Sequence, residues 1–307
     1  MMKFKFSKLT IVFITVIKLA HAQEFIIVKS TADSLRDEGD LKGAISEFQK
    51  SYIKNPKDEV NLYNYACALS LTNQNDSCFK YLNLVIELDT SISILTDPDF
   101  IAMKKDKRWN KFENRLLKML EVKNKKPIKN LPYAKTLWKM AALDQAYYSD
   151  ISLAEKKIGI NSTVVNALWD LKQIINNKNQ KELEGLLQAK GWPKISAVGQ
   201  SASTTAFLII QHSNIAKQKQ YLPIIKKLCS IKESDWQEYA LMYDRIQVSE
   251  NKPQKYGSQI HFNEKTQTNE LYPLENETKV EEWRKELGME SLADYVSMWG
   301  LKFEPKK

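Results

Sequence analysis

The stretch that decides the fold of the second half of the chain is VGQSASTTAFLIIQH, which runs from Val198 to His212. Its residues Ala206 to Ile210 form an uninterrupted apolar run, which is typical of a helix that is buried on most sides. The polar pair Gln211-His212 ends the run. We therefore expect an internal helix over about 199–213, with candidate functional residues at its end.

Helical patterns lie on both sides of this stretch. The chain has only 9 Gly and 9 Pro in 307 residues, which favours helices over the tight turns of sandwiches and barrels. Two short runs, 256–262 and 271–274, have the composition of strands and could form a hairpin. The predicted fold is mainly α, with a helical-repeat domain at the N-terminus and then an α-helical domain that contains a small β-hairpin.

A shorter helix is expected just before the central stretch. Asn179 and Glu182 have the spacing of a capping box, so we predict that a new helix opens there and runs to Ala189. Gly191 then suits the end of that helix, since glycine tolerates the left-handed backbone that closes many helices.

The N-terminal part repeats with a period of 34 residues. Each copy reads as two helices joined at Gly39 or at Asn73, both of which tolerate a left-handed turn. The copies match as Ala32 with Ala66, Leu35 with Leu69, Ala44 with Cys78, Phe48 with Leu82 and Pro56 with Thr90. This pattern resembles the tetratricopeptide repeat, whose concave face binds peptides or proteins. A partner on this face is one reading, and a simple extension of the second domain is the other.

Residues 92–120 are predicted to form a third, degenerate repeat unit that caps the stack. Asp97-Pro98-Asp99-Phe100 is expected to open a helix, which Trp109, Phe112 and Leu116 continue. The predicted organisation is a signal peptide, repeats, a basic linker and a helical domain, at residues 1–22, 23–122, 123–132 and 133–307.

The first 22 residues have the pattern of a secretory signal peptide. Lysines precede the apolar run Leu9 to Ile17, and Ala20-His21-Ala22 fits the signal peptidase site. The run is too short to cross a bilayer as an anchor, and no later stretch is long and apolar enough to do so. We expect an exported protein, periplasmic or secreted.

Charge and cysteine content exclude several classes of function. The formal net charge is +9, of which four lysines lie in the predicted leader, so 9 − 4 = +5 remain without a concentrated basic stripe, and nucleic-acid binding is not expected. Cys67, Cys78 and Cys229 have no metal-ligand spacing and are expected to be free core thiols. Zinc motifs and glycine-rich phosphate loops are absent from the sequence, so we expect no metal and no cofactor.

His212 and Asp244 are the candidate catalytic residues. A histidine suits acid–base chemistry near neutral pH, although a helix cap or a core residue explains it as well. Asp244 shares a partly apolar helix face with Ala240 and Val248, so it needs a partner from another element. Asp244 is then an acid/base residue or the residue that orients a base, and the alternative is that it belongs to a structural buried salt bridge. A contact between His212 and Asp244 would favour catalysis.

Further polar residues near these two are candidate ligand contacts. The set comprises Gln211, Arg245, Gln254, Tyr256 and Gln259. Glutamine amides both donate and accept, which suits the binding of a polar ligand or a peptide backbone. The alternative is a turn that is held together by side-chain hydrogen bonds.

The ordered motifs of this region, over roughly residues 135–275, resemble an uncharacterised bacterial family of unknown function. They are GWP at 191–193, VG at 198–199, QH at 211–212, DR at 244–245 and QxYGSQ at 254–259. The resemblance implies no activity. The leading hypothesis is an exported interaction or ligand-binding module with a polar pocket in the second domain. The alternative is a hydrolase-like enzyme that uses His212 and Asp244 on an envelope or extracellular substrate; a purely structural role for the motifs is a third reading.

Overall fold

The computed structural model describes residues 29–263 and 265–304, so the predicted signal peptide lies outside the described residues. The prediction of a mainly helical fold with one small hairpin is confirmed. The helices are α1 Thr31–Asp37, α2 Leu41–Lys54, α3 Glu59–Leu71, α4 Asn75–Leu88, α5 Ser93–Thr96, α6 Trp109–Asn124, α7 Leu131–Gln145, α8 Tyr148–Ile158, α9 Thr163–Lys190, α10 Ile195–Val198, α11 Gln200–Gln211, α12 Ile215–Ser230, α13 Trp236–Ser249, α14 Val280–Glu286 and α15 Leu292–Ser297.

The repeat region consists of two helix pairs, α1 with α2 and α3 with α4. Gly39 and Asn73 lie at the two turns with φ of +84° and +57°, so the predicted left-handed turn residues are confirmed. The small residues Ala44, Ala66 and Cys78 are fully buried. Close helix packing explains why side chains of this size occupy these positions.

The third unit differs from the prediction that Asp97-Pro98-Asp99-Phe100 opens a helix continued by Trp109. The segment is broken into α5 and two 3₁₀ turns, Pro98–Phe100 and Met103–Lys105, and α6 begins only at Trp109. The Asp97 side chain accepts the Asp99 amide at 2.8 Å, and Asp106 accepts the Arg108 amide at 2.9 Å. These local hydrogen bonds compete with those of a continuous helix.

The helix α9 corrects a second prediction. It runs for 28 residues from Thr163 to Lys190, so no new helix opens at Asn179. Asn179 is buried instead, and its side chain donates to the main-chain oxygen of Met140 on α7. The predicted end is confirmed, since Gly191 closes the helix with φ of +73°.

The central helix α11 lies where the apolar run predicts it. Phe207, Ile209 and Ile210 are buried, and the helix packs against α7, α9 and α12. Gly199 precedes it with φ of +85°. The three helices α7, α9 and α11 thus bring residues that are far apart in sequence to the end of α11.

The chain divides into two compact units, Ser30–Met242 and the described residues from Tyr243 onward. In the second unit, strand β1 Ile260–Asn263 pairs antiparallel with β2 Thr268–Leu271. The predicted hairpin therefore exists, but its first strand is shorter than the predicted run 256–262, and its second strand ends at Leu271, where the predicted run 271–274 begins. Val280, Leu292 and Val296 form the small apolar core of this unit. No helix of the described part of the chain has the length and apolar character needed to cross a membrane.

Candidate functional site

His212 and Asp144 form a largely buried polar pair in the Ser30–Met242 unit. The imidazole Nδ1 lies 3.2 Å from the Asp144 Oδ1, and the two side chains are 11% and 3% exposed. Because an ionised carboxylate only accepts hydrogen bonds, this contact places a proton on Nδ1 and makes Nε2 the basic nitrogen of the neutral ring. The ring is thus oriented, and it retains some exposure to solvent.

Three helices hold this pair in place. Asp144 is in the last turn of α7, where Gln145 donates to its Oδ2 at 2.8 Å. His212 ends α11, and Gln180 of α9 donates to its main-chain oxygen at 3.2 Å. The geometry of the pair therefore depends on packing between helices, which restricts its motion.

A buried lysine lies against the same aspartate. Lys172 of α9 is 1% exposed, donates a hydrogen bond to the Asp144 main-chain oxygen, and has its ammonium 4.4 Å from the Tyr148 ring centre. Burial lowers the pKa of Lys172, while the charge of Asp144 opposes that shift. Burial also raises the pKa of Tyr148 to about 12.

The aspartate itself is held in its ionised form. Burial alone would raise the pKa of Asp144, but the hydrogen bond from His212, the charge that this ring carries when it is protonated, and the charge of Lys172 bring it below its usual range. The result is a cluster of an oriented imidazole, a carboxylate and an ammonium. Such a cluster can hold and transfer a proton at the His212 ring.

Sequence reasoning found His212 but missed its partners. In the sequence Asp144 only forms a polar pair with Gln145 after an apolar helical run, and no sequence pattern links it to a histidine 68 positions later. Lys172 interrupts the apolar run of α9, and a lysine among buried positions was a usable signal.

Asp244, the other candidate catalytic residue, makes its contacts in the second unit. It is fully buried and accepts hydrogen bonds from the amides of Lys255, Tyr256 and Ser258 at 2.8 to 3.1 Å, and from the Ser258 hydroxyl at 2.9 Å. Burial raises the pKa of Asp244, and these hydrogen bonds oppose the shift. The carboxylate thus anchors the loop after α13.

Gln254 and Gln259 close that loop on itself. The fully buried Gln254 amide donates to the main-chain oxygens of Gln259 and Tyr272 at 2.9 Å each, and it accepts the Gln259 amide at 2.7 Å. A ligand at these groups would have to displace these hydrogen bonds. Their geometry supports the alternative that the QxYGSQ motif is a turn held by side chains.

Arg284 completes the support of this loop and was missed from the sequence. It is 1% exposed, donates to the Tyr256 main-chain oxygen at 2.6 Å and to that of Glu290 at 2.8 Å, and lies 5.1 Å from the Tyr295 ring centre. Thus the main-chain oxygen of Tyr256, a residue predicted as a ligand contact, accepts an internal hydrogen bond from Arg284.

Arg245 is another predicted ligand contact in this unit, and burial lowers its pKa to about 10.

The two groups of predicted residues lie in different units. Gln211 and His212 belong to Ser30–Met242, whereas Asp244, Arg245, Gln254, Tyr256 and Gln259 belong to the unit that follows. The Gln211 side chain is buried, and its main-chain oxygen accepts from Gln218 at 3.0 Å. Of the predicted residues, His212 is the one that contacts the buried Asp144.

One group of residues in the repeat region has the spacing of metal ligands. Donor atoms of Cys67, Asp97 and Asp99 lie within 4.8 Å of one another. However, Asp99 pairs with the Arg36 guanidinium, and Asp97 accepts the Tyr63 hydroxyl at 2.7 Å. Burial also raises the pKa of the Cys67 thiol well above its usual value. A metal ion would need Cys67 as a thiolate and would have to displace the Arg36 guanidinium from Asp99. This group therefore does not fit a cation.

Together these observations define a mainly helical protein in which a buried Asp–Lys pair lies next to a partly exposed histidine. Residues 133–304 match a family of unknown function (DUF6624), and the chain belongs to that family. No curated protein and no solved structure matches the sequence.

Proposed function

We propose that the protein is an exported, hydrolase-like enzyme whose base is His212, oriented by Asp144, acting on an envelope or extracellular substrate. One observation carries the proposal: the 3.2 Å contact between Nδ1 of a partly exposed imidazole and a buried carboxylate. A carboxylate that fixes the tautomer and stabilises the imidazolium is the arrangement that general base catalysis needs.

The chemistry follows from the position of the proton. The neutral ring takes a proton at Nε2 from a water molecule as the water oxygen forms a bond to a carbonyl carbon. The imidazolium so formed is stabilised by Asp144 through Nδ1. It then returns the proton to the leaving oxygen as the carbonyl–oxygen bond breaks, which gives one acid and one alcohol. Lys172 keeps the Asp144 main chain in place throughout.

The test uses p-nitrophenyl acetate, a chromogenic ester, with the purified protein. We expect several turnovers per molecule, a loss of at least about 100-fold in kcat/KM for His212→Gln, and a loss of about 10²- to 10⁴-fold for Asp144→Asn. The matched control is His261→Gln, because His261 is the other histidine of the described residues and lies on β1. Equal losses for both histidines would mean unspecific imidazole reactivity and would sink the proposal, as would full activity in His212→Gln.

Export is tested independently of catalysis. We infer that the leader 1–22 is removed, since its charged start, apolar run and Ala20-His21-Ala22 end have the anatomy of a signal peptide. Mass spectrometry of the protein recovered from the envelope fraction of an expressing bacterium should give a mature chain that begins at Gln23. A cytoplasmic protein that retains Met1 would contradict this.

A second candidate function is the binding of a protein or peptide by the repeat region. The supporting observation is an open polar depression of about 480 Å³, lined by residues 73–77 and Arg108. Selection of peptides from a displayed library should yield binders that are lost in Asn75→Ala and Ser77→Ala and kept in Asn114→Ala, on α6. If the selected peptides bind the Asn75→Ala and Ser77→Ala variants as well as they bind the unmodified protein, the partner binds elsewhere.

A further inference from the structure

The turn between α12 and α13 lies beside a second basic segment of the chain. Lys232 is exposed in this turn. Its neighbour Glu233 accepts the Ile195 amide on its main-chain oxygen at 3.3 Å and the Ser196 amide on its carboxylate at 2.9 Å. Lys194, which directly precedes α10 and is also exposed, is therefore held next to the turn.

The segment between α6 and α7 approaches the same place. The Asn130 amide donates to the main-chain oxygen of Ala197 in α10 at 2.8 Å. Hydrogen bonds from α10 lower the pKa of Glu233, and the nearby charges of Lys194 and Lys126 add to this shift. Three segments that are distant in sequence thus bring lysines together, so the sequence alone shows no basic stripe here.

The end of α12 adds exposed apolar side chains to these lysines. Ile224, Lys227 and Ile231 follow at spacings of three and four residues, so they adjoin on one face of the helix. The two isoleucines are 43% and 57% exposed, and they lie about two turns apart, so both can contact one plane. The basic surface is defined here as Lys126, Lys194, Lys227 and Lys232 with Ile224 and Ile231.

The charge of the basic surface is positive. The α12 helix contains four lysines and no acidic residue. The acidic groups of the following turn are Glu233, which accepts the Ser196 amide, and Asp235, which accepts the Gln237 amide at 2.8 Å. The four exposed lysines of the basic surface outnumber these two carboxylates.

The combination of charge and apolar exposure indicates the kind of partner. Lysines attract anionic lipid headgroups, while aliphatic side chains beside them enter the boundary between headgroups and acyl chains. A single-stranded nucleic acid would instead call for aromatic side chains on which bases stack, and the apolar side chains of the basic surface are isoleucines.

We propose that the basic surface docks the protein peripherally on an anionic phospholipid membrane, with Ile224 and Ile231 entering the headgroup region. Neither signal is strong alone, because a few lysines are screened by salt and two isoleucines bury little apolar area. Acting together they give reversible binding that depends on both charge and apolar contact.

The test is co-sedimentation of the mature chain that begins at Gln23 with vesicles of phosphatidylcholine, either pure or containing about 30% phosphatidylglycerol. We expect binding to the anionic vesicles only, and weaker binding at high salt. Lys194→Glu combined with Lys232→Glu should weaken the affinity about 10-fold or more. Ile231→Ser should weaken it about threefold or more.

The matched controls lie on α9, where Lys178, Lys181 and Ile174 are exposed. Lys178→Glu combined with Lys181→Glu changes the net charge by the same amount. Ile174→Ser removes a side chain that is 65% exposed, close to the exposure of Ile231. Both controls should keep the vesicle affinity within about twofold of the unmodified protein. Circular dichroism should show the same helix content for every variant.

The outcomes separate a membrane from an acidic polypeptide, for which soluble polyglutamate is the probe. Absence of binding to the anionic vesicles overturns the proposal, as does binding that the two lysine exchanges leave intact. If polyglutamate binds the protein as tightly as the vesicles do, and Ile231→Ser changes neither affinity, the basic surface takes an acidic polypeptide and the membrane proposal is wrong.

Discussion

Lys172 donates a hydrogen bond to the main-chain oxygen of Asp144, the residue whose side chain holds the His212 ring. The ammonium therefore satisfies a carbonyl at the end of α7 and also balances the carboxylate next to it. An ion with 1% exposure is tolerated only when such partners compensate for its lost hydration.

Replacing this ion should destabilise the protein. In Lys172→Met the Asp144 carbonyl loses its donor and the carboxylate loses its nearby cation, and the lost hydrogen bond alone is worth about 1–3 kcal/mol. We expect a loss of about 2 kcal/mol in the free energy of unfolding, measured with urea. Lys178→Met, at an exposed position of the same helix, should change it by less than about 0.5 kcal/mol. Equal values for the two variants would mean that the buried contact contributes nothing.

Glu238 should make stability depend on pH. It accepts hydrogen bonds from the Thr204 hydroxyl at 2.6 Å and the Ser234 hydroxyl at 3.2 Å, and burial raises its pKa to about 7, with Asp235 adding to the shift. Between pH 4.5 and 7 the folded state then binds more protons than the unfolded state, so stability falls as pH rises through this window. The full effect of such a shift is about 3 kcal/mol.

The measurement compares urea midpoints at pH 5 and pH 7.5. The unmodified protein should lose stability at the higher pH, and Glu238→Gln should lose much less, since its amide cannot ionise. Glu182→Gln serves as the control because Glu182 is exposed on α9, and it should behave like the unmodified protein. A pH dependence that survives in Glu238→Gln must come from another group.

Asp244→Asn separates a structural aspartate from a catalytic one. The amide NH2 of asparagine would face amides that already donate to this position, so one or more hydrogen bonds from Tyr256 and Ser258 are lost. We expect a loss of about 2–4 kcal/mol in the stability of this part of the chain, with kcat/KM for p-nitrophenyl acetate unchanged at temperatures where it stays folded. A specific loss of activity without a loss of stability would restore Asp244 as a catalytic candidate.

The helices were predictable because their apolar spacing and end residues are local properties. Gly39, Gly191 and Gly199 mark helix ends in the sequence, and each has the positive φ that its position requires. The contact between His212 and Asp144 was not predictable, since it depends on how α7 and α11 pack. Asn179 shows the same limit. Its local pattern predicted a helix cap, but its side chain makes a buried hydrogen bond to Met140 of α7 and the helix continues through it.

Gly257 offers a sharp test of the loop around Asp244. It has φ of +69°, and an added Cβ would lie 2.7 Å from the Leu292 side chain, in the small apolar core of this unit. Gly257→Ala therefore combines a strained backbone with a steric clash, and we expect a loss of about 2–3 kcal/mol. Gly185→Ala is the matched control: Gly185 lies within α9 with nothing within 4 Å of its added Cβ, and alanine favours the helix there by up to about 1 kcal/mol. Thermal unfolding should thus move in opposite directions for the two glycines. A Gly257→Ala protein as stable as the unmodified one would mean that the loop relaxes and that the motif does not fix its backbone.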